Sequence, residues 1–175
     1  MKRKLSSYLR IKNIPNFLSI FRLILTIPVI IFLELDYLKV VWIIILVGGL
    51  LDYLDGLIAR KFKFESKFGA AIDPFSDKIL IIIPLIWLCI KQIIPYWSLS
   101  IIVIREFILV GFRKSRKDSL PSSKLAKLKT LFLFISLSLL FAPYQNTNVL
   151  IIGVIFYWLG FSLTIITLVN YLLKE

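Results

Sequence analysis

The chain of 175 residues contains no histidine and one cysteine, Cys89. The lack of histidine excludes imidazole as a general base and as a metal ligand. A single cysteine excludes an intrachain disulfide and a thiolate metal cluster. Acids are scarce: 10 Asp and Glu stand against 22 Lys and Arg, a formal charge of +12. No internal repeat and no low-complexity linker breaks the sequence, so it reads as one domain over 1–175. What the chain has in excess is apolar side chain, at 59% hydrophobic residues, with a mean hydropathy of +0.89. A soluble domain of this size must present a more polar surface to water. Composition therefore predicts an integral membrane protein.

Six apolar segments cover about 14–34, 40–60, 69–91, 95–112, 126–142 and 148–172. A helical span needs about 20 residues, so the expected fold is an all-α integral membrane protein of six transmembrane helices. A short N-terminal juxtamembrane segment precedes them. The first apolar stretch contains Asn16 and Arg22 and is followed by no small-x-small cleavage site. It reads as a retained span rather than a signal peptide. Lys and Arg gather in the N-terminal segment, in 60–67, in 113–129 and at the C-terminal end, whereas the alternate loops hold only Lys39 and Lys91. By the positive-inside rule, both termini and the basic loops face the cytoplasm, in the cell membrane. Anionic membrane lipids, and not nucleic acid, are then the expected partner of the positive charge. The segment KRKLSSYLRIK has Leu5, Tyr8 and Leu9 at helical spacing. It can form a short helix lying on the lipid surface, or remain a basic tail with topological meaning only.

Four aspartates fall in one stretch, DYLDGLIARKFKFESKFGAAIDPFSD, which begins at residue 52. Asp52 and Asp55 are three apart, and Asp73 and Asp77 four apart, so each pair shares a helix face. A short loop between the second and third spans makes those helices antiparallel neighbours. Both pairs then lie near the cytoplasmic ends of their helices. A lone carboxylate at the centre of a span costs about 2.5–3.5 kcal/mol on insertion scales, so four call for a positive partner. Hard divalent cations suit oxygen-only ligands, and a pair of them is a recurring device for phosphoryl transfer. Gly56, Ala59 and Gly69 remove bulk beside the acids, so a pyrophosphate can approach the backbone. Gly48 and Gly49 fit close helix packing better. A set of intramembrane aspartates can also line a cation path, which leaves a non-enzymatic channel or transporter as the contrasting class.

The same stretch resembles the signature of the CDP-alcohol phosphatidyltransferase family, D-x-x-D-G-x-x-A-R, eight residues, then G-x-x-x-D-x-x-x-D. Asp52, Asp55, Gly56, Ala59, Arg60, Gly69, Asp73 and Asp77 fill every position. The resemblance implies a six-helix membrane enzyme, a homodimer, using Mg²⁺ or Mn²⁺ (two ions) and a CDP-linked lipid donor. It implies that Asp52, Asp55 and Asp73 serve metal or CDP binding. Asp77 would complete the metal site and act as general base. Arg60 would support the nucleotide end or the 60–67 loop.

Outside that motif the chain is similar to the phosphatidylglycerophosphate synthases of this family. NIPNFLSIFR resembles their N-x-P-N-x-L-T-x-x-R opening, with Ser19 in place of Thr. Asn16, Ser19 and Arg22 recur every three residues and can share a face, with Asn16 and Ser19 among the donor-binding candidates. Capping by Asn16 and snorkelling by Arg22 are the structural alternatives. VIREFILVGFR and KLAKLKT match two further stretches at Arg105, Glu106, Gly111, Arg113, Lys127, Lys129 and Thr130. Arg105, Arg113, Lys127 and Lys129 are the expected contacts of an acceptor phosphate, and Glu106 is expected to pair with a neighbouring cation. A positive-inside loop would hold Arg113, Lys127 and Lys129 in any case. Val110, Ala126 and Leu133 depart from the pattern, where Ser, Gly and Gln are usual. The implied substrates are CDP-diacylglycerol and glycerol 3-phosphate. Phosphatidylglycerol, inositol phosphate and serine remain as alternative acceptors.

Overall fold

A computed structural model describes the backbone of residues 20–62, 67–115, 124–144 and 146–173. Within these, side chains are described except at 52–62, 67–75, 77, 109–115, 124, 126 and 172. The described residues form six helices and no strand: α1 over 20–34, then α2 (Leu38–Phe62), α3 (Lys67–Ile90), α4 (Tyr96–Ser115), α5 (Lys124–Leu140) and α6 (Thr147–Leu172). The last five coincide with the expected apolar segments to within a few residues and α1 ends as expected at 34; the expected start at about 14 and the N-terminal juxtamembrane segment lie outside the described residues. Helix α6 carries an uninterrupted apolar stretch, Thr147–Tyr171, long enough to cross a membrane. The apolar described stretches Leu38–Leu51 and Lys78–Ile90 are shorter. Being one span of a six-span bundle is thus supported by length and composition for α6 alone among the described residues.

Two of the turns are built the same way. Asp36 and Gln92 adopt left-handed backbone angles, φ 55° and 59°. After α1, Tyr37 N–H donates to Phe32 O and Asp36 N–H to Leu33 O. After α3, Ile93 N–H donates to Leu88 O and Gln92 N–H to Cys89 O. Each is a Schellman stop, which satisfies the last carbonyls of the helix with a non-glycine residue in the left-handed position. The Phe32 and Tyr37 rings meet edge to face at 6.2 Å, the apolar contact that accompanies such a stop. Helix α6 starts at Asn146, whose side chain accepts from Val149 N–H at 2.9 Å, a standard N-cap.

The chain divides into two compact units, Met1–Ile83 and Pro84–Glu175. In the first, α1 buries Arg22, Thr26, Val29 and Leu33, and α2 buries Val41 and Ile45, with Gly48 on the same stripe. The part of α3 in this unit buries Ser76 and Leu80. These three- and four-residue spacings are one face of each helix. Outward faces carry Ile20, Ile24, Ile27, Ile31 and Ile43. Exposing so much branched aliphatic surface suits a lipid solvent.

In the second unit, α5 and α6 pack antiparallel through small residues. A Cβ on Gly153 would lie 2.8 Å from Leu140 Cδ2, and one on Gly160 3.0 Å from Leu133 Cδ2. Seven residues forward on α6 match seven back on α5, which is a continuous antiparallel register. Ser136 Oγ donates to Gly153 O at 2.8 Å, so the close approach is also hydrogen-bonded. Helix α4 runs parallel to α6. Ser98 Oγ and Tyr157 OH are 2.5 Å apart at one level. Arg105 and Thr167 meet further along both helices.

Candidate active site

The two halves of the aspartate motif lie on helices of the first unit. On α2 the buried stripe Val41, Ile45 and Gly48 continues in register to Asp52 and Asp55. On α3 the stripe marked by Leu80 continues back through Asp77, Asp73 and Gly69. The helices touch between these series. A Cβ on Gly48 would fall inside the van der Waals shell of Leu80 Cδ2, so a larger residue there would have to displace the Leu80 side chain. Gly48 is one turn from Asp52, and Leu80 one turn from Asp77. Close packing by Gly48 is what the sequence predicts, and here it is what brings α2 and α3 together beside the motif. The side chains of Asp52, Asp55, Arg60, Asp73 and Asp77 lie outside the described residues, as do those of Ala59 and Arg113. Gly56 and Gly69 lie on described helix backbone. Asn16 and Ser19 lie outside the described residues altogether.

Arg22 is 1% exposed, on the stripe of Thr26, Val29 and Leu33. It does not snorkel outward, which overturns the bland alternative for this residue. Thr26 Oγ1 donates to the backbone carbonyls of Arg22 and Leu23, which keeps that hydroxyl satisfied within α1.

In the second unit the structure gathers part of the expected phosphate set. Arg105, Glu106, Lys129 and Thr167 are all buried. Arg105 Nη1 donates to Glu106 Oε1 at 2.7 Å, and Lys129 Nζ pairs with the same oxygen. Arg105 Nη2 donates to Thr167 Oγ1 at 2.9 Å. Glu106 is therefore shared by two cations from two helices. Removing one partner of such a buried set is costly, about 3–5 kcal/mol, because the other is left unpaired. Arg105 Nε is buried with no hydrogen-bond partner among the described residues. Lys127 is exposed on α5 and is not part of this cluster. Lys129 is two residues further on, roughly 200° around the helix axis, which separates the buried lysine from the exposed one.

Sequence reasoning missed Thr167. Its signal was slight: Thr164 and Thr167 are hydroxyls three residues apart in an otherwise aliphatic run. Both are buried, and Thr164 Oγ1 donates back to Gly160 O at 2.8 Å.

Comparison with known proteins identifies the class. The sequence profile of the CDP-alcohol phosphatidyltransferase family matches residues 12–166, and the chain belongs to that family. It is an enzyme, so the channel alternative falls. Within the family it is similar to CDP-diacylglycerol–glycerol-3-phosphate 3-phosphatidyltransferase of Rickettsia typhi, at 36% identity over 91% of this chain and 95% of that one. The protein of the same name from Haemophilus influenzae is 33% identical over 91% of both chains.

Proposed function

We propose that the chain transfers the phosphatidyl group of CDP-diacylglycerol to the primary hydroxyl of glycerol 3-phosphate, giving phosphatidylglycerophosphate and CMP. The supporting observation is the complete eight-position motif, Asp52 to Asp77, on two helices that approach closely at Gly48 and Leu80. The relatives above carry the name of this reaction. The whole chain acts as one domain of six spans, with both termini and the site on the cytoplasmic side of the cell membrane. It works as a homodimer.

The donor set fits a hard divalent cation. Four carboxylates on one pair of helices, with no histidine or thiolate nearby in sequence, supply only oxygen. Asp52, Asp55, Asp73 and Asp77 would hold two Mg²⁺ or Mn²⁺. Bound there, the ions would neutralise the pyrophosphate and the charge that develops during transfer. Gly56, Ala59 and Gly69 leave space for the CDP moiety, and Arg60, Asn16 and Ser19 contribute to its binding. Asp77 takes the proton from the acceptor hydroxyl as that oxygen bonds to the β-phosphorus. The bond from this phosphorus to the bridging oxygen breaks, and CMP leaves with the electron pair. Arg105 and Lys129, with Arg113 and Lys127, receive the phosphate of glycerol 3-phosphate.

The test is turnover of purified protein with CDP-diacylglycerol, Mg²⁺ and labelled glycerol 3-phosphate. CMP release together with label in the lipid fraction is expected. Turnover with serine, inositol phosphate or phosphatidylglycerol but not glycerol 3-phosphate would change the acceptor. No turnover with any alcohol would remove the reading.

A further inference from the structure

Arg105 is held from two helices. Its Nη1 is fixed by Glu106, the next residue on α4, at 2.7 Å. Its Nη2 is fixed by Thr167 of α6 at 2.9 Å. The Glu106 contact alone leaves the planar guanidinium free to tilt, because a single pairing constrains one end of the fork. The Thr167 contact, from another helix, sets the plane.

Thr167 is itself oriented. Its hydroxyl lies 2.8 Å from Leu163 O and 3.0 Å from Thr164 O. The one hydroxyl proton is directed to those carbonyls, so the oxygen lone pairs face Arg105 and accept from Nη2. A chain from helix carbonyl to hydroxyl to guanidinium results, in which each bond polarises the next. It uses one side of the fork. The Nε–H remains a buried donor with no partner among the described residues. A buried cation with an unmet donor is completed by an anion, and a phosphate accepts from an Arg fork side-on.

We propose that Thr167 is a positioning residue for the acceptor: its hydroxyl sets the plane in which Arg105 meets the acceptor's phosphate. This rests on the reading of Arg105 as a phosphate contact. Thr167 lies just past the stretch matched by the family profile, which ends at 166, and touches no reacting atom itself.

The experiment is a double-mutant cycle with Thr167→Val, which is near-isosteric, and Arg105→Lys, which removes the planar fork; both keep the buried charge count. Thr167→Val is expected to raise KM for glycerol 3-phosphate about tenfold, the effect of one hydrogen bond to a charged group. KM for CDP-diacylglycerol and kcat should stay within about twofold, while the melting temperature in detergent should fall, because a buried donor of Arg105 loses its acceptor. Thr167→Ser should restore the parental KM, because it returns the oxygen. In the Arg105→Lys background, Thr167→Val should add little. An unchanged KM for glycerol 3-phosphate in Thr167→Val, an equal rise in both KM values, or full additivity with Arg105→Lys overturns the positioning role. An unchanged KM in Arg105→Lys overturns the acceptor-phosphate reading of Arg105 and the inference with it. A raised KM in Arg105→Lys with none in Thr167→Val removes the inference alone.

Discussion

Each of the two helical units is net positive, but the residue sets singled out in them carry charge of opposite sign. The motif on α2 and α3 has four aspartates and one arginine, Arg60, so its own charges leave three negatives uncompensated. The cluster on α4, α5 and α6 has Arg105 and Lys129 on one carboxylate, Glu106, which leaves one positive. The first calls for cations and the second for an anion, and these are the two kinds of ligand that a metal-assisted phosphatidyl transfer to a phosphorylated alcohol brings. The difference also separates two ways of tolerating charge in apolar surroundings. The second unit meets most of its own need through shared hydrogen bonds. The first has no internal counter-charge in its motif sufficient to do so.

The largest effect should come from the acidic side. Asp77→Asn keeps shape and removes the proposed base, so CMP release is expected to fall by at least about 100-fold while the protein still inserts and melts normally. Residual activity near the parental rate would remove Asp77 from the proton transfer. Chelation with EDTA should likewise abolish turnover, with recovery on adding Mg²⁺ or Mn²⁺. Persistence of turnover in EDTA would break the contrast at its acidic end.

On the basic side, Glu106→Gln strips two buried cations of their shared counter-charge. A loss of about 3–5 kcal/mol in stability is expected, read as a lowered melting temperature in detergent. Lys129→Met, which leaves the Arg105–Glu106 pair intact, should cost less. A milder effect of Glu106→Gln than of Lys129→Met would mean that Glu106 is not the hub. Next in size is Gly48→Leu, which drives a side chain into Leu80. Overpacking of this kind costs about 1–3 kcal/mol, and Leu80→Ala should recover part of it in the double variant. Smallest is Lys127→Ala. Lys127 is exposed and lies outside the buried cluster, so stability should change by less than about 0.5 kcal/mol.

The helices were legible because apolar runs and polar breaks alternate so sharply. The segment expected over 95–112 is the helix Tyr96–Ser115, and that expected over 148–172 is Thr147–Leu172. The motif was legible because eight positions of fixed residue type and spacing leave few other uses. The turns were not. Asp36 and Gln92 occupy left-handed positions usually marked by glycine, and no local sequence cue distinguishes them. Long-range pairing was also hidden. That Glu106 would take a neighbouring cation was readable from its place beside Arg105 in an apolar run. That it takes Arg105 and Lys129 together depends on the register of α4 and α5 against α6, which periodicity alone does not fix. Thr167 is the clearest case. A threonine in an aliphatic helix has its own carbonyl four residues back as a ready partner, so nothing in the sequence points to a second one.

The division of labour between the two sets is open to one direct measurement: Mg²⁺-dependent binding of CDP-diacylglycerol to purified Asp73→Asn and Arg105→Lys proteins, titrated side by side. Asp73→Asn should lose binding by at least about tenfold, as expected for loss of a charged metal or CDP contact, and Arg105→Lys should bind as the parent does. Equal loss in both variants, or loss confined to Arg105→Lys, would contradict the assignment of the donor to the aspartates and the acceptor to the basic cluster.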